Sequence, residues 1–319
     1  MKRKIILLSA IAVLAIIYIL QLTFTGKSKV KTLSLTEDID SIVIEQGASS
    51  NVLTLSLEGK DWHIGKYKAD ESTASAMVDA LKSIKVLGTI TANVNNDEQR
   101  YGLEINNKIV VKAQKNGQVL RTITIGKNTS TGSQCYAQVD GKNVVCLVNG
   151  SLHTTFTCTQ ESLRAKGIYS LSAEGITSIS VSSQNGSNNF SIQKEENEQK
   201  ADSSEDGSES ITVPQANWIF VGEVEGKGDV NIKNVQTWTS SLANLSASEW
   251  CSEGTPVPQE AEMTVSFVCN GTNYSISFYP KDDEENQRLC TCNVAQTPFY
   301  LSEYIAQRLM QDLSSILSE

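Results

Sequence analysis

Apolar and polar positions alternate in the same way at two places about half the chain apart, Ile39-Asp40-Ser41-Ile42-Val43-Ile44 and Ile176-Thr177-Ser178-Ile179-Ser180-Val181. The apolar spacing is kept and the polar residues between are scrambled, which predicts a repeated strand. The echo continues: Trp62-His63-Ile64 is answered by Trp218-Ile219-Phe220. Asp70 followed by Ala74, Met77, Leu81 and Ile84 is answered by Asp229 followed by Val235, Trp238, Leu242 and Leu245. Both stripes step by three, four and three residues, the period of one helix face, and each Asp is placed to accept from unpaired first-turn amides. Asn116-Gly117 and Asn270-Gly271, each with a Lys ten positions beyond its Gly (Lys127 and Lys281), predict tight hairpins between alternating flanks. Leu152, Phe156 and Leu163 answer Ile305, Leu309 and Ile316 and predict a closing helix. The common plan is strand, strand, helix, several antiparallel strands, helix, an α+β fold of two tandem, divergent units of antiparallel sheet with packed helices.

A chain of 319 residues, 39% hydrophobic and 6% aromatic, has room for two such domains, each with its own core. The echoes place the first unit at 30–173 and the second at 174–319, after an N-terminal segment 1–29. The second unit holds an acidic insertion at about 194–213, almost without apolar side chains and therefore expected to be disordered. The run Asp282-Asp283-Glu284-Glu285 is read as a solvated loop after the second hairpin.

Ile5 to Phe24 is apolar apart from Ser9, Gln21 and Thr23, about the ~20 residues that a bilayer crossing requires. Lys2, Arg3 and Lys4 precede it, and neither an Ala-x-Ala cleavage site nor a lipid-acceptor Cys follows. The expectation is an uncleaved anchor in the cytoplasmic membrane, N-terminus inside and C-terminal domain extracytoplasmic, although Lys27, Lys29 and Lys31 nearly balance the first basic cluster. Residues 1–31 hold six basic and no acidic side chains, so of the formal charge of −9 the remainder carries −15. So acidic an exodomain repels nucleic acid and anionic headgroups.

Seven cysteines raise the question of disulfides. An Asp140-Gly141 two-residue turn would set Cys135 opposite Cys146, at ~4.5–5.5 Å between Cα atoms and within disulfide reach. A structural bond and buried free thiols are both open readings, with a redox switch the sharper alternative. Cys251, Cys269, Cys290 and Cys292 lack the paired knuckles of a zinc site.

The catalytic inventory is thin. His63 and His153 face Ile219 and Ala306 in the aligned repeat, so neither reads as a retained acid or base. Gly126-Lys127-Asn128-Thr129 lacks both the earlier Gly and the hydroxyl residue of a phosphate loop, and no nucleophile elbow, metalloprotease helix or dinucleotide fingerprint occurs. The chain is read as a non-enzyme without metal or cofactor.

Trp62, the Ala69-Asp70 helix, Tyr101-Gly102-Leu103-Glu104, Ile123-Thr124-Ile125-Gly126, Tyr136-Ala137-Gln138-Val139, Val144-Val145-Cys146-Leu147 and Ser162-Leu163-Arg164-Ala165-Lys166 occur in an order that resembles the DUF4340 family. The resemblance is strong in the first unit and weaker in the second, which has no Tyr-Gly-Leu segment. It implies a bacterial envelope protein associated with gliding-motility-type ABC transporter components, and brings no catalytic residues. Tyr101, Gly102 and Leu103 read as a turn packed on the sheet, with partner docking the sharper alternative. The leading expectation is an anchored extracytoplasmic scaffold or accessory component of an ABC-type transporter or envelope assembly complex. The alternatives are an envelope glycan or cell-wall ligand-binding protein using the crevice between the units and the aromatics Trp62, Trp218, Trp238 and Trp250, and a hydrolase with its site in divergent loops.

Overall fold

The structure, a computed structural model, describes residues 13–19, 30–48, 52–91, 97–195, 217–222, 228–282 and 284–318. The chain divides into two compact units, Met1–Leu163 and Arg164–Glu319. Helix α1 (residues 13–19) has exposed side chains; the rest of the expected span Ile5 to Phe24 lies outside the described residues. Among those described, no helix is long and apolar enough to cross a membrane. The acidic insertion also lies outside them, apart from Lys194 and Glu195 at the end of a strand.

The first unit runs β1 (Lys31–Ser34), β2 (Ser41–Gln46), β3 (Val52–Glu58), β4 (Asp61–Ile64), β5 (Tyr67–Lys68), α2 (Glu71–Lys82), β6 (Ser83–Thr91), α3 (Glu98–Tyr101), β7 (Ile109–Lys115), β8 (Gln118–Asn128), β9 (Gln134–Val139), β10 (Val145–Asn149), α4 (Leu152–Phe156) and α5 (Gln160–Leu163). Its strands form one sheet in the order β1-β6-β10-β9-β8-β7-β2-β3-β4-β5. One face is apolar: Ile42, Ile44, Leu55, Val111, Ile123 and Ile125 are buried against Ala74, Met77 and Leu81 of α2 and Leu152, Phe156 and Leu163 of α4 and α5. Each such aliphatic side chain removed from water contributes about 1.5–3 kcal/mol, which holds the short helices in place where propensity alone would not.

The second unit runs β11 (Gly167–Ser170), β12 (Ile176–Ser183), β13 (Phe190–Glu195), β14 (Asn217–Phe220), α6 (Ile232–Leu242), β15 (Asn244–Ser246), β16 (Glu249–Trp250), β17 (Met263–Cys269), β18 (Thr272–Asp282), β19 (Gln287–Cys292), β20 (Phe299–Ser302), α7 (Glu303–Leu309) and α8 (Leu313–Ile316). Its main sheet, β14-β13-β12-β17-β18-β19-β20-β16, repeats β4-β3-β2-β7-β8-β9-β10-β6 strand for strand. The pair β11–β15 repeats β1–β6. In the first unit β6 pairs with both β1 and β10; in the second the same stretch is split, β15 pairing with β11 and β16 with β20. The α+β duplication is therefore present in the topology as well as in the sequence.

The register revises several sequence expectations. The unit division falls after Leu163 and ahead of Ala173, because β11 pairs with β15. Helix α2 ends at Lys82 and α6 at Leu242, so Ile84 and Leu245 are buried from the strands that follow. Asp70 caps α2, its Oδ1 accepting from Thr73 N at 2.8 Å, but the cap of α6 is Asn231, accepting from Asn234 N at 3.2 Å. Asp229 instead accepts the Ser318 amide at its carbonyl. Both Asn-Gly pairs have the positive φ of a tight hairpin turn, 50° and 76° against 48° and 76°. A bulge in β8 after the first turn adds a residue, so Asn128, opposite Cys135, holds the place of Lys281, opposite Arg288. In the closing helix Ile305 is 38% exposed and Ala306 is buried.

Candidate functional site

The Tyr-Gly-Leu segment brings Gly102 to the wall of a cleft in the first unit. Helix α3 stops at Gly102, whose φ of 68° lets its amide and that of Leu103 turn back onto the carbonyls of Gln99 and Glu98. Tyr101 and Leu103 go inward and are buried with Val145, and Tyr101 packs on Tyr136 with ring centroids 5.1 Å apart. Two glycines make this close approach possible. A Cβ on Gly102 would lie 2.7 Å from the Lys127 amide nitrogen, and one on Gly126 would collide with the Tyr101 carbonyl. Tyr101, Gly102 and Leu103 thus meet Gly126 and Lys127 on β8. Since both side chains are buried, the segment presents only its Gly102 backbone to the cleft, and Tyr101 and Leu103 offer no exposed surface for a partner.

From Leu103 the chain turns through Glu104, whose carbonyl accepts from the amides of Asn107 and Lys108 at 3.1 Å each. One carboxylate oxygen of Glu104 accepts from Asn107 Nδ2; the other is buried without a partner. Opposite, β2 ends in Gln46-Gly47. The Gln46 side-chain amide clamps the Cys158 backbone, Nε2 donating to its carbonyl at 2.6 Å and Oε1 accepting from its amide at 3.3 Å. Gly47 (φ 60°) donates to the Lys108 carbonyl at 2.9 Å, and a Cβ there would lie 2.7 Å from the Asn106 carbonyl oxygen. The resulting cleft has a volume of about 540 Å³, and its wall includes Gln99, Glu104, Asn106, Lys127 and His153. Its charged groups are Glu104 and Lys127, and among the described residues neither has an ion-pair partner. His153, half-buried on α4, has Nδ1 3.3 Å from Thr157 Oγ1.

Sequence reasoning did not assemble this cleft. Its residues come from β2, the α3 turn, β8 and α4, and only the fold brings them together. Gly126-Lys127 lies inside β8, which leads into a loop and β9, so it does not have the strand-loop-helix setting of a phosphate loop.

The cysteine pair is corrected by the register. Five residues, 140–144, separate β9 from β10 in place of a two-residue turn, which puts Cys135 opposite Val148 and Cys146 opposite Ala137. Neither faces the other, and all seven cysteines are free thiols. Burial raises the pKa of Cys135 and Cys146 above the ordinary thiol value, and pushes Cys158 and Cys251 up to about 11. Such thiols stay protonated and are poor nucleophiles. Among the described residues no group of three or more His, Cys, Asp or Glu is placed to hold a metal ion.

All four tryptophans are buried: Trp62 in the first core, Trp218, Trp238 and Trp250 in the second. Trp238 donates to the Leu309 carbonyl at 2.9 Å and Trp250 to that of Ala165 at 3.0 Å. The Arg164 guanidinium lies 4.0 Å from the Trp250 ring centroid and donates to Thr297 Oγ1 at 2.9 Å. Arg164, Ala165 and Lys166 therefore form a strap of the second unit, while Leu163 belongs to the first core, and all four tryptophan rings are packed against protein. His63, on β4, has Nδ1 3.2 Å from the Asp61 carbonyl oxygen.

The face of the second sheet opposite its core carries a row of serines across four adjacent strands, Ser191, Ser180, Ser266 and Ser275. Their hydroxyls pair at 2.9 Å (Ser191 with Ser180) and 3.1 Å (Ser266 with Ser275). At the same places the first unit has Thr54, Val43, Lys112 and Thr122.

Residues 62–263 match a family described as a domain of unknown function, DUF4340. No curated protein and no solved structure matches the chain.

Proposed function

The chain belongs to the DUF4340 family, and from that premise we propose that it is a membrane-anchored, extracytoplasmic, non-enzymatic module, a scaffold or accessory component of an ABC-type transporter or envelope assembly complex. The observation that carries the reading is the duplication itself. Strand order and core positions are kept between the units, while the outer faces and the clefts have diverged. A fold kept twice with different surfaces suits a protein whose work is to present surfaces. The serine row, built of short uncharged side chains, would let a partner approach the second sheet closely. The apolar run Ile5 to Phe24 behind a basic N-terminus supports the anchor and the exported orientation.

The test is to extract the full chain from native membranes in mild detergent, crosslink it and identify what co-purifies. A reproducible integral-membrane complex is expected. Recovery in the soluble fraction, or recovery without a reproducible membrane partner, overturns the proposal. An envelope glycan or cell-wall ligand, the alternative reading, would have to be held by side chains other than the four tryptophans, whose rings are buried.

A further inference from the structure

We propose that the cleft of the first unit binds a small zwitterion, a free amino acid or short peptide, with Glu104 receiving its ammonium group and Lys127 its carboxylate. The cleft, at about 540 Å³, falls within the roughly 300–1,000 Å³ of small-molecule sites. Its two charged side chains are of opposite sign, line the same space and lie outside ion-pair distance of each other. Two such groups left unpaired are complementary to a ligand that carries both charges, and a charge-assisted hydrogen bond at each end is stronger than a neutral one. Glu104 has the clearer need. Asn107 satisfies one of its oxygens and the other is buried with no donor, a cost that is removed when the carboxylate turns into the cleft and accepts from an ammonium N–H there. The neutral amides of Gln99 and Asn106 suit the peptide group of a dipeptide.

The shape of the cleft is built in. Gly47 and Gly102 both adopt positive φ and both sit where a Cβ would meet backbone at 2.7 Å, so β2 approaches Asn106 and the α3 turn approaches Lys127 this closely only with glycine at these places. The second unit cannot form this site. Tyr279, itself buried, stands at the place of Gly126, and Cys251–Glu262 crosses where α3 crosses in the first unit, with no helix.

The site is tested by isothermal titration of the detergent-purified full chain with glycylglycine and alanylglutamine, beside their N-acetyl and C-amide forms. Free dipeptides are expected to bind with Kd of roughly 10 μM–1 mM, weakened about tenfold by either blocking group. Glu104→Gln should erase the discrimination against N-acetylation only. Lys127→Ala, at an exposed strand end and harmless to the fold, should erase the discrimination against amidation only. Silence from both dipeptides up to ~10 mM, or binding that neither variant changes, overturns the proposal. That result would leave the scaffold reading standing, since membrane co-purification is a separate measurement.

Discussion

Where the first unit has Leu33, Ala113 and Arg121, the second has Tyr169, Phe267 and Tyr274. The same corner, between the edge strand and the end of the long helix, is closed in two chemistries. Arg121, 6% exposed, donates to the carbonyls of Leu81 at 2.6 Å, Leu33 at 3.1 Å and Ser34 at 3.4 Å, capping the C-terminus of α2 and tying β1 to it. In the second unit three rings fill the space, Phe267 stacked on Tyr274 at 5.2 Å and Tyr169 set against Tyr274 at 5.1 Å and Phe267 at 6.1 Å. A second substitution runs the other way. Cys135 is buried in the first core, and at its place the second unit has Arg288, paired with Glu303 and Glu262 and donating to the Tyr279 carbonyl at 2.9 Å. The lesson is that the backbone plan tolerates a buried charge at either place, provided that its partners come with it.

The largest effect should come from orphaning such a partner. Arg288→Leu leaves Glu303, buried at the start of α7, without its cation, and removing one member of a buried pair costs about 3–5 kcal/mol. Arg288→Leu with Glu303→Leu should recover much of that loss, since the first unit does without the pair. Urea unfolding in a Trp62→Phe background reads this out, because the other three tryptophans belong to the second unit. The same pair sets a pH dependence. Hydrogen bonding from Arg288 holds the Glu303 carboxyl below its ordinary value of 4.5. A carboxyl whose folded pKa is depressed stabilises fully above its unfolded value, and that stability is lost as pH falls through the folded value. Stability should therefore fall below pH 4.5, and Glu303→Gln should flatten that limb; an unchanged acid limb would refute the assignment.

Next in size is Gly126→Ala. Its Cβ would run into the Tyr101 carbonyl, and backbone cannot yield as a side-chain tip can. A loss of about 2–3 kcal/mol is expected, together with exposure of Tyr101, visible as faster proteolysis around Gly102. The Tyr279 position in the second unit has no such restriction, so Tyr279→Phe should cost well under half as much. Equal losses would dissolve the contrast between the units. Arg121→Leu follows at about 2 kcal/mol, the loss of caps to three carbonyls, read from the Trp62 signal.

How far the sequence discloses this molecule depends on range. The strands, both Asn-Gly turns and the faces of α2 and α6 rest on local period and turn chemistry, and the structure has them where the residues imply. Edge strands β1 and β11 were missed, because each pairs across a long helix crossover and carries no strong alternation of its own. One bulge in β8 shifts Lys127 off its apparent counterpart, and a five-residue loop shifts Cys135 off Cys146; neither departure disturbs the hydrophobic period that sequence reading relies on. The cleft was the least legible part. Glu104 and Lys127 are ordinary surface residues until the glycines at 47, 102 and 126 bring three backbone segments together.

The smallest predicted effect has the opposite sign from the rest. Tyr169 Oη is buried with no partner, and burial raises its pKa far above that of a free phenol. Its ring contacts with Phe267 and Tyr274 do not use the hydroxyl. Tyr169→Phe keeps the rings and removes only the group that has lost its water, so it should stabilise the second unit by up to about 1 kcal/mol. Leu33 holds the same place in the first unit without any polar atom, so the unmet hydroxyl has no counterpart there, while Arg121 Nε leaves that corner its own buried group without a partner. A loss of stability on Tyr169→Phe, measured in the same urea series, would mean that the hydroxyl is hydrogen-bonded and that the aromatic corner is the better satisfied of the two.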